Sequence, residues 1–157
     1  MAGIEANPGT YQNQLRLRVF NARGAAQKSA DLADLMLDNK LDVMVVSDTW
    51  IGESASDSVK YGLAPTGFNI SLVHRSIISG GPTCGSGLAI IAAYKIVIRY
   101  NKLQTTMRPV SFELQLVNLW AGSQVNLITN IYRPPSNPKS TFLVELSNLL
   151  SSFLRRT

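Results

Sequence analysis

Two short apolar segments on either side of an amphipathic segment constrain the fold of this chain most. Apolar and basic residues alternate over 15–19, which predicts a half-buried strand ending near Asn21. Residues 25–39 follow helical spacing, and residues 43–46 form a second apolar strand that runs into Asp48. Such a unit forms a right-handed crossover with parallel strands. Asn21 and Asp48 should therefore lie at one edge of a sheet, where open α/β sheets usually bind ligands.

The remaining chain adds several strands and then a second helix. Residues 52–67 are polar and predict a loop, and four glycines and one proline predict another loop over 79–87. Period-two or short apolar patterns predict further strands, and helical spacing returns at the end: strands over 68–75, 88–94, 96–100, 112–116 and 125–132, and a helix over 140–154. This order predicts an α/β layered domain with mixed sheets and flanking helices.

The charge of the chain is unevenly distributed. The formal net charge is +5, but residues 1–57 contain eight acids and five bases, whereas residues 58–157 contain ten bases and two acids. A basic half suggests a polyanionic partner, most simply nucleic acid. A generic solvated basic surface explains the same composition equally well.

Cysteine content and hydropathy predict an intracellular protein without a membrane segment. Cys84 is the only cysteine, so no internal disulfide can form, which fits a reducing compartment. Residues 1–10 lack the apolar core of a secretory signal, and the longest apolar run, Leu88–Tyr94, is far too short to cross a bilayer. The sequence does not separate nucleus from cytoplasm.

Four stretches, in order, carry a resemblance to a known family. They are VFNAR at 19–23, LDVMVVSDTWI at 41–51, Arg75 followed by GSGLAI at 85–90, and NIYRPP at 130–135 before an amphipathic helix. Together they resemble the endonuclease/exonuclease/phosphatase family, and the third and fourth favour its non-LTR retrotransposon (LINE-type) branch. The resemblance implies that residues 15–157 are the N-terminal portion of an αββα sandwich, incomplete at its C-terminus.

The family hydrolyses phosphate esters with Mg²⁺, and the resemblance implies a catalytic set of Asn21, Asp48 and Tyr132. Asp48 and Asn21 would be the metal ligands, with Asp48 in the place of the family's glutamate. Aspartate is one methylene shorter, and Mg²⁺ demands near-ideal geometry, so this departure puts metal binding in doubt. Simpler readings are a polar strand-end residue for Asp48, a turn residue for Asn21 and a core or rim tyrosine for Tyr132.

Three arginines are candidates for contacting the phosphate backbone of DNA, by the same resemblance. They are Arg23, Arg75 and Arg133, and each alone could equally be an ordinary surface residue. His74 is the only histidine and follows Val73 within a predicted strand, whereas the family's catalytic histidine follows an aspartate much later. We therefore interpret His74 as structural.

Residues 1–14 read as a flexible leader. Within them, IEANPG at 4–9 resembles the core of ribosome-skipping peptides, which stand ahead of this domain in some retrotransposons. Gly3 replaces the usual aspartate and Thr10 replaces the final proline on which skipping depends, so the motif is degenerate.

The resemblance predicts a magnesium-dependent endonuclease that nicks DNA, followed in a parent polyprotein by a reverse transcriptase domain. The family's later Asp–Asn and Asp–His motifs are absent from these 157 residues, so we expect the chain as given to be inactive. The alternatives are a non-enzymatic remnant that binds nucleic acid weakly through its basic half, and a phosphatase of the same fold. A front portion alone would also leave a sheet face uncovered, which predicts marginal stability or association.

Overall fold

The computed structural model describes residues 14–74 and 87–154 of the chain. They contain seven strands and four helices, and a 3-10 turn at Ala26–Lys28 precedes the first helix. In chain order the elements are β1 (Leu17–Asn21), α1 (Ser29–Asp38), β2 (Val43–Ser47), α2 (Asp57–Tyr61), β3 (Phe68–Val73), β4 (Leu88–Ala93), β5 (Ile96–Tyr100), α3 (Leu103–Thr106), β6 (Glu113–Ala121), β7 (Gln124–Tyr132) and α4 (Lys139–Leu154).

The strands form two sheets. The first sheet has the order β1-β2-β4-β3, in which β1 and β2 are parallel and the other neighbours are antiparallel. The second sheet has the order β5-β6-β7 and is antiparallel throughout. Asn21 lies opposite Ser47, so the C-terminal ends of β1 and β2 meet at one edge as predicted.

Helix α1 covers the outer face of the first sheet. Leu32 and Met36 are buried on one side of α1 and pack in a cluster with Met44, Val46 and Ile91 of β2 and β4. The three-residue and four-residue spacings in this part of the chain therefore give the helical face that was expected. Because β2 and β4 are covered on both sides, they are apolar along almost their whole length.

The other core clusters lie between the sheets and behind the second sheet. Val45 and Ile90 face Val117 in the inner cluster, while Leu116 packs outward against Leu149 of α4. The layers are thus helix, sheet, sheet and helix, as the sequence resemblance predicted.

Two buried amides cross the interface between the sheets. Asn130 of β7 donates its side-chain N–H groups to the backbone oxygens of Val46 at 3.1 Å and Ala89 at 3.4 Å, and to Gln115 Oε1 at 3.3 Å. Gln115 in turn donates to the backbone oxygen of Ser71 at 3.0 Å. Directional bonds of this kind fix the register of one sheet on the other, which apolar contacts alone do not.

Several local predictions need correction. The segment 52–67 is not a continuous loop, because it contains α2, and α3 was not predicted at all. Both helices are shorter than two turns, so they cannot show a helical apolar period. Helix α1 ends before Asn39, which donates its side-chain amide to the Leu35 oxygen, and Lys40 follows with a left-handed φ of 49°.

Some apolar surface stays exposed on both sheets. Leu17 and Val19 share register with buried residues of β2 and therefore lie on the inner face of the first sheet, yet Val19 is 69% exposed. Trp120, Val125 and Leu127 are exposed on the outer face of the second sheet. Association of the isolated chain through such surface stays a prediction. Within residues 14–74 and 87–154, no helix combines the length and apolarity needed to span a membrane.

Replacing the amide of Asn130 by a carboxylate should destabilise the fold. In Asn130→Asp, the backbone oxygens of Val46 and Ala89 lose their donor and face a buried negative charge instead. We expect the free energy of unfolding at neutral pH to fall by about 3 kcal/mol or more, measured by denaturant titration. Asn126→Asp, at an exposed position of the same strand, is the matched control. Equal effects of the two substitutions would contradict the role assigned to Asn130.

A carboxylate docks α4 onto the segment before β6. Glu145 accepts the backbone N–H of Val110 at 3.0 Å and of Ser111 at 2.9 Å, and also the Ser111 hydroxyl. Burial raises the pKa of the Glu145 carboxyl, but these hydrogen bonds outweigh burial and leave the pKa below its ordinary value of 4.5. The contact therefore stabilises the fold fully above pH 4.5, and its contribution is lost as pH falls through the lowered pKa.

Glu145→Gln should remove this part of the acid dependence of stability. At neutral pH the variant should lose about 1 kcal/mol or less, because the contact is partly exposed to water. Below pH 4.5 the stabilities of the variant and the parent should converge, as followed by denaturant titration at a series of pH values. A constant difference across that range would show that the Glu145 carboxylate does not dock α4.

Candidate active site

Two loops leave the first sheet side by side at the C-terminal ends of β1 and β2. The pairing of these strands continues past their ends, because Ala22 N–H donates to Ser47 O at 2.9 Å, Gly24 N–H to Asp48 O at 3.0 Å and Ala25 N–H to Thr49 O at 2.8 Å. The loop after Asn21 is thereby fixed against the loop that carries Asp48.

Left-handed backbone is concentrated in these two loops. Among the described residues, four that are not glycine have positive φ, and three of them lie here: Arg23 at 45°, Asp48 at 59° and Trp50 at 59°. Aspartate tolerates this region, but it is strained for a bulky residue such as tryptophan. Strained backbone of this kind persists only where surrounding contacts impose it, and it is concentrated at functional sites.

The Asp48 side chain is held on two sides. It is 7% exposed, and its Oδ1 accepts the indole N–H of Trp50 at 2.8 Å. The hydroxyl of Tyr132, from the second sheet, also hydrogen-bonds to it. Trp50 lies over Gly24, where an added Cβ would stand 3.1 Å from the ring, so the glycine permits this close packing.

Tyr132 brings the second sheet into the site. It ends β7, is half-buried, and lies opposite Glu113, the first residue of β6. Burial raises the pKa of the Tyr132 hydroxyl above its ordinary value, followed by the charge of Asp48 and the hydrogen bond to it, and then the charge of Glu113. Arg23 acts in the opposite direction, which places its positive charge in the same neighbourhood.

The structure thus gathers Asp48, Tyr132 and Arg23 of the predicted site and adds two residues that sequence reasoning missed. Trp50 orients the Asp48 carboxylate, and Glu113 contributes a second negative charge beside Tyr132. The only available signals were the position of Trp50 two residues after Asp48 and the rarity of acids in the basic half of the chain.

Of the other predicted site residues, Asn21 borders this group and Arg133 lies apart from it. Asn21 is exposed at the end of β1, opposite Ser47 and one residue from Asp48 in register. Arg133 donates to the Asn137 oxygen at 2.7 Å and lies 5.8 Å from the Phe142 ring centroid, so it stabilises the β7–α4 turn.

His74, the only histidine of the chain, directly follows β3. His74 is half-buried after β3, and its Nδ1 has no hydrogen-bond partner among the described residues. Arg75, with most of the glycine-rich stretch, lies outside the described residues, as do residues 1–13 of the leader.

The donors at this edge suit a hard cation held partly by water. Within residues 14–74 and 87–154, no three His, Cys, Asp or Glu side chains come together as a metal-binding group. Mg²⁺ needs fewer ligands from the protein, because it commonly takes one or two carboxylates, keeps several waters and completes its coordination shell with substrate phosphate. The Asp48 carboxylate, with the Asn21 amide at the neighbouring strand end, fits that pattern of oxygen ligands.

Comparison with known proteins shows similarity at the level of structure. No protein-family model and no curated protein sequence matches the chain. The endonuclease domain of TRAS1, a telomere-specific non-LTR retrotransposon, superposes with a TM-score of 0.61 at 9% identity, over 89% of this chain and 54% of that one. The AP endonuclease LMAP from Leishmania major gives 0.54 at 14% identity, over 81% and 42%.

A third solved structure is the 3' phosphatase NExo from Neisseria bound to a product DNA hairpin. It gives a TM-score of 0.53 at 14% identity, over 91% of this chain and 52% of that one. The chain therefore spans about half the length of these structures. Its described residues have the fold of endonuclease/exonuclease/phosphatase domains, as the four sequence stretches predicted.

Proposed function

We propose that this chain is part of a magnesium-dependent phosphodiesterase of the nuclease type that acts on DNA. The single observation that supports this most is the meeting of Asp48 from the first sheet with Tyr132 from the second, at the strand ends of a nuclease fold. The left-handed backbone of Asp48, Trp50 and Arg23 and the half-buried Tyr132 hydroxyl are typical of a functional site rather than of a surface turn.

In this proposal Asp48 and Asn21 hold Mg²⁺. The bound ion would neutralise the scissile phosphate and stabilise the leaving oxygen. Trp50 and Tyr132 orient the carboxylate through their hydrogen bonds to Asp48. The Tyr132 hydroxyl carries one proton at neutral pH, so with substrate bound it would donate that proton to a phosphate oxygen in place of Asp48. Arg23, exposed at the same edge, supplies positive charge to the phosphate backbone.

The 157-residue chain is proposed to bind DNA without cleaving it. Phosphodiester hydrolysis needs a base to activate water, and the only histidine, His74, follows Val73 rather than an aspartate. We propose a non-LTR retrotransposon as the source, with a reverse transcriptase domain as partner in the parent protein; the TRAS1 endonuclease domain among the structural neighbours supports this. The phosphatase neighbour favours a phosphomonoester as the second candidate substrate.

A Mg²⁺ titration followed by Trp50 fluorescence tests the metal site. The Trp50 indole is hydrogen-bonded to Asp48, so metal binding at Asp48 should change the emission of Trp50. Trp120→Phe makes Trp50 the only tryptophan of the chain. In that background, Asp48→Ala combined with Asn21→Ala should weaken Mg²⁺ binding by about tenfold or more. Asp57→Asn removes an exposed carboxylate of α2 and should leave the titration unchanged.

The same preparations should be incubated with supercoiled plasmid, with Mg²⁺ and with chelator. No nicking is expected from any of them. Nicking that needs Mg²⁺ and is lost in the double variant would confirm the site and overturn the proposed inactivity of this chain. A Mg²⁺ response identical in the parent and the double variant would overturn the proposed metal site.

The pKa of Tyr132 should fall when the Asp48 charge is removed. In Asp48→Asn the burial of the hydroxyl persists, but the neighbouring negative charge that disfavours phenolate is gone. The fall is followed by phenolate absorbance and assigned to Tyr132 by subtracting a Tyr132→Phe titration. An unchanged titration would contradict the contact between the two sheets.

A further inference from the structure

Glu113 lies between the two sheets at the candidate site. It begins β6 in the second sheet, and its Oε2 accepts the backbone N–H of Gly87 at 2.6 Å. Gly87 directly precedes β4, which belongs to the first sheet. This bond therefore joins the sheets at the same edge where Asp48 meets Tyr132.

Gly87 also contacts the turn that contains Asp48. Its carbonyl oxygen accepts the backbone N–H of Thr49 at 3.0 Å, one residue after Asp48. Gly87 has φ of 92°, and a Cβ there would stand 2.5 Å from Thr49 Oγ1. Only glycine permits both this conformation and the close approach, so the backbone at Gly87 packs tightly against Thr49.

Thr49 itself has little freedom to move. It is 1% exposed, its carbonyl oxygen accepts Ala25 N–H at 2.8 Å, and its Oγ1 accepts Ile51 N–H at 3.3 Å. A displacement of Gly87 must therefore be transmitted to the turn that carries Asp48. Glu113, Gly87 and Thr49 form a continuous series of contacts from one sheet to the other.

We propose that Glu113 is a positioning residue of the candidate site, which holds Gly87 and thereby sets the Asp48 turn against Tyr132. The inference deepens the proposed function and rests on it, because the placement of Asp48 matters only if Asp48 acts. Glu113 is not assigned a contact with substrate or metal. Its carboxylate is suited to the task because an ionised acceptor binds a backbone N–H more strongly than a neutral one does.

Substitutions of Glu113 should therefore disturb the Asp48 turn to different extents. Glutamine keeps an oxygen acceptor at the same reach, whereas alanine leaves the Gly87 N–H without this partner. Glu113→Gln is expected to preserve the geometry of the Asp48 turn, and Glu113→Ala is expected to disturb it.

The experiment is an NMR comparison of the full chain in the Trp120→Phe background without added metal. The reporters are the Trp50 indole N–H, which is bonded to Asp48, and the Gly87 amide, which is bonded to Glu113. In Glu113→Ala the indole resonance should move toward that of a water-exposed indole, and Gly87 amide exchange should quicken by about tenfold. Glu113→Gln should retain both signals.

Glu145→Ala is the matched control, because Glu145 is the other carboxylate in the basic half that accepts backbone N–H groups between elements. It should lower the unfolding midpoint and leave the Trp50 indole unchanged. An unchanged indole and Gly87 amide in Glu113→Ala would overturn the proposal, as would equal indole shifts in Glu113→Ala and Glu145→Ala. If Glu113→Ala does not fold, Glu113→Gln decides: retained signals support positioning, and displaced signals overturn it.

The two proposals fail separately. The indole and amide signals are read without Mg²⁺, so they report on the geometry of the turn alone. Absence of Mg²⁺ binding in the parent chain would overturn the proposed function while leaving the contact series measurable. Normal Mg²⁺ binding in Glu113→Ala, with undisturbed NMR signals, would overturn only the positioning role.

Discussion

The buried amide of Asn130 is the interaction on which the arrangement of the two sheets depends. It is donated from β7 to the backbone of β2 and β4, so it sets where the second sheet sits along the first. Tyr132 lies two residues after Asn130, and Asp48 lies two residues after Val46. The contact between Tyr132 and Asp48 thus lies one two-residue strand repeat beyond the Asn130–Val46 contact, closer to the edge of the sheets. A site divided between two sheets needs this kind of directional register.

The sequence predicted the parts of the fold that follow from local periodicity. Alternation over β1, the apolar face of α1 and the run in β2 were sufficient to place Asn21 and Asp48 at one sheet edge. Contacts between the sheets have no such period. Nothing in the residues around Glu113 shows that its carboxylate meets Gly87, and Asn130 is not distinguishable in sequence from an exposed polar residue of an antiparallel strand. The short helices α2 and α3 were not predicted, because a helix of four or five residues is too short to show a periodic pattern.

The short sequence motifs that resemble the family and the shared fold depend on different residues of the chain. Identity to the structural neighbours is only 9–14%, yet the fold is shared, with TM-scores of 0.53–0.61. The apolar positions of β2 and β4 can exchange among aliphatic residues without changing the sheet, so they contribute burial rather than identity. The few positions with special backbone, such as Gly87 and Asp48, tolerate far less exchange because the space or the conformation is restricted.

The left-handed backbone of Asp48 has a consequence for how this position can change in evolution. The conformation favours aspartate or asparagine, whereas a cation favours a carboxylate. The two amino acids are separated by one nucleotide in the genetic code. A single transition in the codon would thus substitute a side chain that suits the turn and can still accept a hydrogen bond from the Trp50 indole, while the charge disappears. Under the role proposed for Asp48, such a substitution would remove the metal-binding carboxylate and leave the fold unchanged.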